Sequence, residues 1–124
     1  MQLTKAEEQI MKILWELKEG VVKDIRKRFD NPKPARNTIS TVLKVLENKG
    51  YVGHKAYANV FLYHPLVSKS EYSRHQLFDL LEGYFNNSFP MMTSFFAKEK
   101  NLSVKDLDRI LEEARRDLKN DQKD

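Results

Sequence analysis

Cysteine is absent from this 124-residue chain, which removes disulfide scaffolds, Cys-ligated zinc and thiol catalysis. Glycine and proline number only four each, and no glycines gather into a phosphate-cradling loop. No apolar run approaches the roughly 18 residues needed to span a bilayer, so membrane insertion is not expected. The opening "MQLTKAEEQI" lacks the basic-then-apolar order of a signal peptide, and the expectation is a soluble, cytoplasmic protein. His54, His64 and His75 have neither metal-ligand spacing nor carboxylate company. No nucleophile–base pair or carboxylate dyad stands in a matching context. No metal, no cofactor and no enzymatic activity are expected.

What remains is ordinary in amount and uneven in placement. A hydrophobic content of 40% beside 32% charged residues is too apolar for disorder and fits a globular protein of one domain, or two very small ones. The net charge of +4 is concentrated: residues 1–66 hold 12 Lys and Arg against 7 Asp and Glu, and residues 67–124 hold 10 against 11. A basic front half and a near-neutral back half suggest that only the front meets a polyanion.

Thr4 with Glu7 forms a capping box in front of Ala6, Ile10, Ile13, Leu14 and Leu17, predicting a first helix over about 5–18. Met11 and Trp15 lie off that stripe and imply a second packing surface. Gly20 is a stop signal. Val22, Ile25 and Phe29 give a short second helix, about 21–29, whose other sides carry Lys23, Arg26, Lys27 and Arg28. "DNPKP" then breaks the chain at 30–34. The third helix, 35–49, holds Ile39, Val42, Leu43 and Leu46 on one face. "YVGHKAY" and "VFLYHPL" read as a hairpin, strands about 51–57 and 60–64, ended by Pro65. Ala58-Asn59 is not a preferred two-residue turn, so a longer or irregular loop is expected. Ser68 with Glu71 opens a fourth helix to about 86, a fifth starts near 88–90, and Ser103 caps a sixth. The tail "KNDQKD" should fray.

Three helices followed by a hairpin is the order of a winged helix-turn-helix. The class expected is mainly α with a small β-hairpin, divided as a DNA-binding domain over 1–66 and a helical domain over 67–124. The polar face of the third helix is unusual: Arg36, Asn37, Ser40, Thr41, Lys44 and Asn48 stand where Glu and Lys would be ordinary. Short hydrogen-bonding groups and cations are what base edges in a major groove require. Arg36, Asn37, Ser40 and Thr41 are therefore the candidate base contacts. Lys23, Arg26, Lys27 and Lys44 are the candidate phosphate contacts, joined by His54, Lys55, Tyr57 and Asn59 near the wing tip. Asn48 lies too far along the helix to read anything. The competing reading is a winged-helix adaptor for another protein, which the basic face argues against.

"LTKAEEQIMKILWELKEGVVKDI", "RNTISTVLKVLENKGYV" and "YANVFLYHPLVSKSEY" resemble the BlaI/MecI/CopY family of penicillinase-type repressors. Leu14-Trp15 and the run from Asn37-Thr38-Ile39 to Lys49-Gly50 carry most of the resemblance, which covers nearly the whole chain. It implies a homodimeric repressor whose winged domain binds an inverted-repeat operator and whose C-terminal helices pair. That agrees with the excess of apolar residues in the back half, where about 58 residues make a poor solitary core. Leu80, Leu81, Tyr84, Phe95, Phe96, Leu107, Ile110 and Leu111 are the candidate dimer residues. The copper-sensing branch uses a Cys-x-Cys pair, which this chain lacks. The β-lactam branch implies a membrane-bound sensor-protease and cleavage in a segment resembling "SFFAKEK", around Phe95–Phe96, although Phe95 stands where Asn is usual.

Overall fold

Thr4 starts the first helix, α1 (Lys5–Leu17). Its hydroxyl accepts the Glu7 N–H at 3.2 Å, and the Glu7 carboxylate accepts the Thr4 N–H at 2.8 Å, the reciprocal arrangement that the spacing implies. The computed structural model describes residues 2–122. Ile10, Ile13 and Leu14 are buried and Leu17 is half-buried. Ala6 is exposed, contrary to its place in the expected stripe, because the first turn buries Glu7 instead. Met11 and Trp15 do face a second surface: Met11 is fully buried, and the Trp15 indole N–H donates to the Val67 carbonyl at 2.9 Å.

The helix ends at Lys18, which adopts φ 72° and donates its N–H to the Leu14 carbonyl at 2.7 Å. Gly20 does something other than stop the helix. Its N–H and carbonyl pair with the carbonyl and N–H of Tyr63, both at 2.9 Å. The short α2 (Val22–Lys27) and α3 (Arg36–Asn48) are joined by the "DNPKP" segment. There Lys33 Nζ donates to the Lys27 carbonyl at 3.1 Å and to that of Phe29, and Arg26 Nε donates to Pro34 O at 2.8 Å. Ile39, Leu43 and Leu46 are buried and Val42 is half-buried, as the spacing predicts.

The strands β1 (Val52–Tyr57) and β2 (Val60–Pro65) pair antiparallel from Val52↔Pro65 to Tyr57↔Val60. The loop between them is only Ala58-Asn59, tighter than expected, and Ala58 reaches this geometry at φ 52°. Such a φ is what two-residue hairpin turns demand, here without glycine. Pro65 is the last residue of β2 rather than its breaker, a position that needs no ladder N–H.

Beyond the hairpin come α4 (Lys69–Phe85), α5 (Phe89–Glu99) and α6 (Val104–Gln122). The Ser68, Ser88 and Ser103 hydroxyls accept from Glu71, Met91 and Asp106 N–H at 3.0, 3.2 and 3.1 Å. The last helix runs on to Gln122, into the tail expected to fray; residues 123–124 lie outside the described ones. The chain divides into two units after Gln76, ten residues later than the expected boundary at 66. The reason is Tyr72. It is 5% exposed in the core of the first unit, its ring 5.6 Å from Trp15 and 6.4 Å from Tyr51. Its hydroxyl donates to Glu8 Oε2 at 2.9 Å and accepts from Gln76 Nε2 at 2.8 Å. Burial first, and the Glu8 carboxylate second, push this phenol up to about 12.

Glu7 is 3% exposed and each of its carboxylate oxygens lies 2.9 Å from Lys49 Nζ. Burial pushes its carboxyl up, but the Lys49 hydrogen bond and those from Thr4 outweigh it, and the carboxyl sits below its ordinary value of 4.5. A depressed folded value means stability that is complete above about pH 4.5 and is lost as pH falls through the lowered value. Glu7→Gln is expected to flatten that acid limb and to remove about 1.5–3 kcal/mol at neutral pH, the usual worth of a hydrogen bond to a charged group. Thermal denaturation of both proteins from neutral pH down to about pH 3 measures it.

Candidate nucleic-acid interface

The face of α3 opposite its buried stripe is open. Arg36, Asn37, Thr41, Lys44 and Asn48 are exposed and Ser40 is half-buried. The Thr41 hydroxyl donates to the Asn37 carbonyl at 2.8 Å, leaving its oxygen lone pairs and methyl as the free chemistry. Glu47 is the helix's one carboxylate, 35% exposed near its C-terminal end. A groove joins this face to α2 and the hairpin, and Lys23, Arg36, Ser40, Asn59, Val60 and Phe61 line it. The structure thus brings Arg36 and Ser40 of α3 beside Lys23 of α2 and Asn59 of the turn. Asn37, Thr41 and Lys44 lie along the same helix outside that groove.

Lys27, Lys55, Tyr57 and Asn59 are exposed, as a surface meeting phosphates requires. Three residues depart from expectation. Arg26 is half-buried, and its Nε is committed to Pro34 O, so it shapes the α2–α3 turn. His54 is not near the wing tip: it pairs with Tyr63, three rungs back from Tyr57↔Val60. Its Nδ1 hydrogen-bonds Glu47 Oε1, and its ring stacks on Phe61 at 4.3 Å and 24°. Burial, then the Glu47 charge, raises the Tyr63 phenol beside it. Lys55, paired with Leu62, also sits back from the tip. Sequence reasoning missed the roles of Lys33, Lys49 and Glu47. Only the isolated carboxylate on an otherwise cationic face signalled Glu47.

In the second unit Tyr84 is 79% exposed and Leu111 61%. Phe95, Phe96 and Ile110 are also exposed, and Leu80 and Leu107 are half-buried. Leu81 differs from these candidates, because it is 8% exposed and packed with Phe85 and Met92 within the chain itself. Phe78, Phe89, Met91 and Val104 are further exposed apolar residues outside the candidate dimer set. A recess is lined by Leu80, Tyr84, Phe85, Met91, Phe95 and Phe96. Phe95 and Phe96 lie within α5, on helical turns. Among the described residues no group of three His, Asp or Glu is placed to hold a metal, and no helix is long and apolar enough to cross a membrane.

The sequence model of the penicillinase repressor family matches residues 3–116, across both units. This chain belongs to the penicillinase repressor family. Among similar proteins, the methicillin resistance regulatory protein MecI of Staphylococcus aureus is 23% identical over 114 residues, covering 88% of this chain and 89% of that one. MecI of Mammaliicoccus sciuri gives the same figures. The solution structure of the DNA binding domain of the repressor BlaI is 29% identical, with a TM-score of 0.50, and covers 57% of this chain and 88% of that one. As a member of the penicillinase repressor family the protein has the winged-helix architecture read from its sequence, and its family is one of repressors rather than enzymes.

Proposed function

We propose that this chain is a cytoplasmic, homodimeric transcriptional repressor that binds an inverted-repeat DNA operator through α3. The observation that carries the reading is the exposed face of Arg36, Asn37, Thr41 and Lys44, free of carboxylates until Glu47 and flanked by Lys23 and the wing. A major groove about 12 Å wide admits one helix, and residues near its N-terminus reach base edges. Arg36, Asn37, Ser40 and Thr41 occupy the first two turns and take that role. Lys23, Lys27, Lys44, Lys55, Tyr57 and Asn59 take phosphates, which supply most of the affinity.

The exposed apolar residues of the second unit support pairing of two copies. Tyr84, Phe95, Phe96, Ile110 and Leu111 are more apolar surface than a small monomer ordinarily leaves bare, and Leu80 and Leu107 border it. Family membership supports release by a membrane-bound sensor-protease acting near Phe95–Phe96. Because that bond lies inside α5, cleavage requires the helix to open locally first.

The test is to sequence genomic DNA retained by the purified protein and to footprint the recovered site. Two protected half-sites related by a dyad are expected. Protection no stronger than on random DNA would reject the repressor. On the recovered site Asn37→Ala and Thr41→Ala are each expected to lose about 1–3 kcal/mol of discrimination at one base pair, whereas Lys23→Ala should weaken all sequences alike. Competition against single-base variants separates the two patterns.

A further inference from the structure

The hairpin is anchored at its base by Val52 and Tyr63, buried in the core, and by backbone hydrogen bonds. Gly20 and Tyr63 exchange both hydrogen bonds at 2.9 Å, and Leu66 N–H donates to the Tyr51 carbonyl at 2.7 Å. Outward from there residues 54–61 are all exposed. Among the described residues, the bond from His54 Nδ1 to Glu47 Oε1 is the one side-chain hydrogen bond joining the hairpin to the rest of the protein. The same imidazole is stacked on Phe61 at 4.3 Å and lies 5.7 Å from Tyr63. One ring therefore ties β1, β2 and the C-terminal end of α3 together at a single point, where the supported base of the hairpin gives way to its free outer half.

We propose that His54 and Glu47 form a latch that fixes the wing against the recognition helix, acting on DNA binding as positioning residues rather than as contacts. The inference rests on the DNA-binding reading above and deepens it. Lys55, Tyr57 and Asn59 are carried on the strand and turn that the latch restrains, so holding it closed pre-arranges them before DNA arrives. The groups facing the imidazole are the Glu47 carboxylate from α3 and the Tyr63 phenol from β2, with Phe61 contributing an uncharged face. Imidazole is the side chain that ordinarily changes charge between pH 5 and 8. An imidazolium–carboxylate bond is stronger than its neutral counterpart. The latch is accordingly firmer with the imidazolium than with the neutral ring, and DNA affinity follows it.

The experiment is fluorescence anisotropy with the full chain between about pH 6 and 8 at constant ionic strength. The probe is a labelled duplex from the region upstream of the protein's own coding sequence, with a random duplex of equal length beside it. Wild type is expected to tighten toward the acid end by about two- to fivefold more than Glu47→Gln, the size of a partly exposed ion pair. His54→Gln should lose the same increment, and His75→Gln, on α4, should keep it. If His54→Gln loses the increment while Glu47→Gln retains it, the imidazole touches phosphate directly and the latch is overturned. If both variants retain it, the latch is overturned as well. Amide NMR of residues 56–60 in the free protein separates failure of the latch from failure of the DNA reading. Those resonances should shift together with pH in wild type and lose that shift in Glu47→Gln, whether or not any DNA is bound. Unchanged behaviour in the variant rejects the latch.

Discussion

Leu43→Ala will remove about 2–5 kcal/mol from the stability of the N-terminal unit, the range for truncating a buried leucine. Leu43 is fully buried at the middle of α3, in one cluster with Ile10, Leu14, Ile25, Ile39, Leu46 and Val52. Those residues come from α1, α2, α3 and β1, so none can collapse into the space without moving a whole element. A unit of this size has only several kcal/mol in hand. The loss is therefore visible as a large drop in the urea midpoint with an unchanged m-value. Thr41→Ala, two residues earlier on the exposed face, should shift the midpoint little and act on DNA recognition instead. An equal midpoint shift in the two variants would mean that the two faces of α3 are wrongly assigned.

Raising salt from 50 to 200 mM will lower DNA affinity by about three to five orders of magnitude if the repressor reading holds. Lys23, Lys27, Lys44 and Lys55 are all exposed and give a dimer about eight phosphate contacts, corresponding to a log–log slope near −7. The second unit adds almost nothing to that field, because over residues 77–124 its 8 cations are slightly outnumbered by 10 carboxylates. Lys23→Ala should reduce the slope by about two in a dimer, one for each copy. Titration of a labelled duplex at several salt concentrations gives both numbers. A slope near zero would leave the basic front half as a merely solvated surface.

Much of this architecture was legible because it is local. Capping boxes, the stripe of α3 and the switch to alternating Tyr, Val and Phe all act within a few residues. What was not legible depends on partners far away in sequence. Tyr72 enters the first core only because Trp15 and Glu8 wait for it more than fifty residues earlier, and this moves the boundary past 66. The Ala58-Asn59 turn defeats its residue preferences because the ladder beside it dictates the loop length. His54 looked like a tip residue until the register with Tyr63 placed it against Glu47. Of the candidate interface, residue types on one helix face could be read directly, whereas Arg26 was misread because its Pro34 acceptor lies across a turn. Leu81 was misread because a run of apolar residues does not say which of them the chain buries for itself.

The bond from the Thr41 hydroxyl to the Asn37 carbonyl has a thermodynamic consequence. A β-branched side chain in a helix is already stiff at χ1, and this bond selects the rotamer further. Thr41 therefore gives up little conformational entropy on meeting a base, unlike the long side chain of Arg36 one turn before it. Of the two, the threonine is the reader whose shape is set in advance, and the arginine is the one that must be ordered by the site it reads.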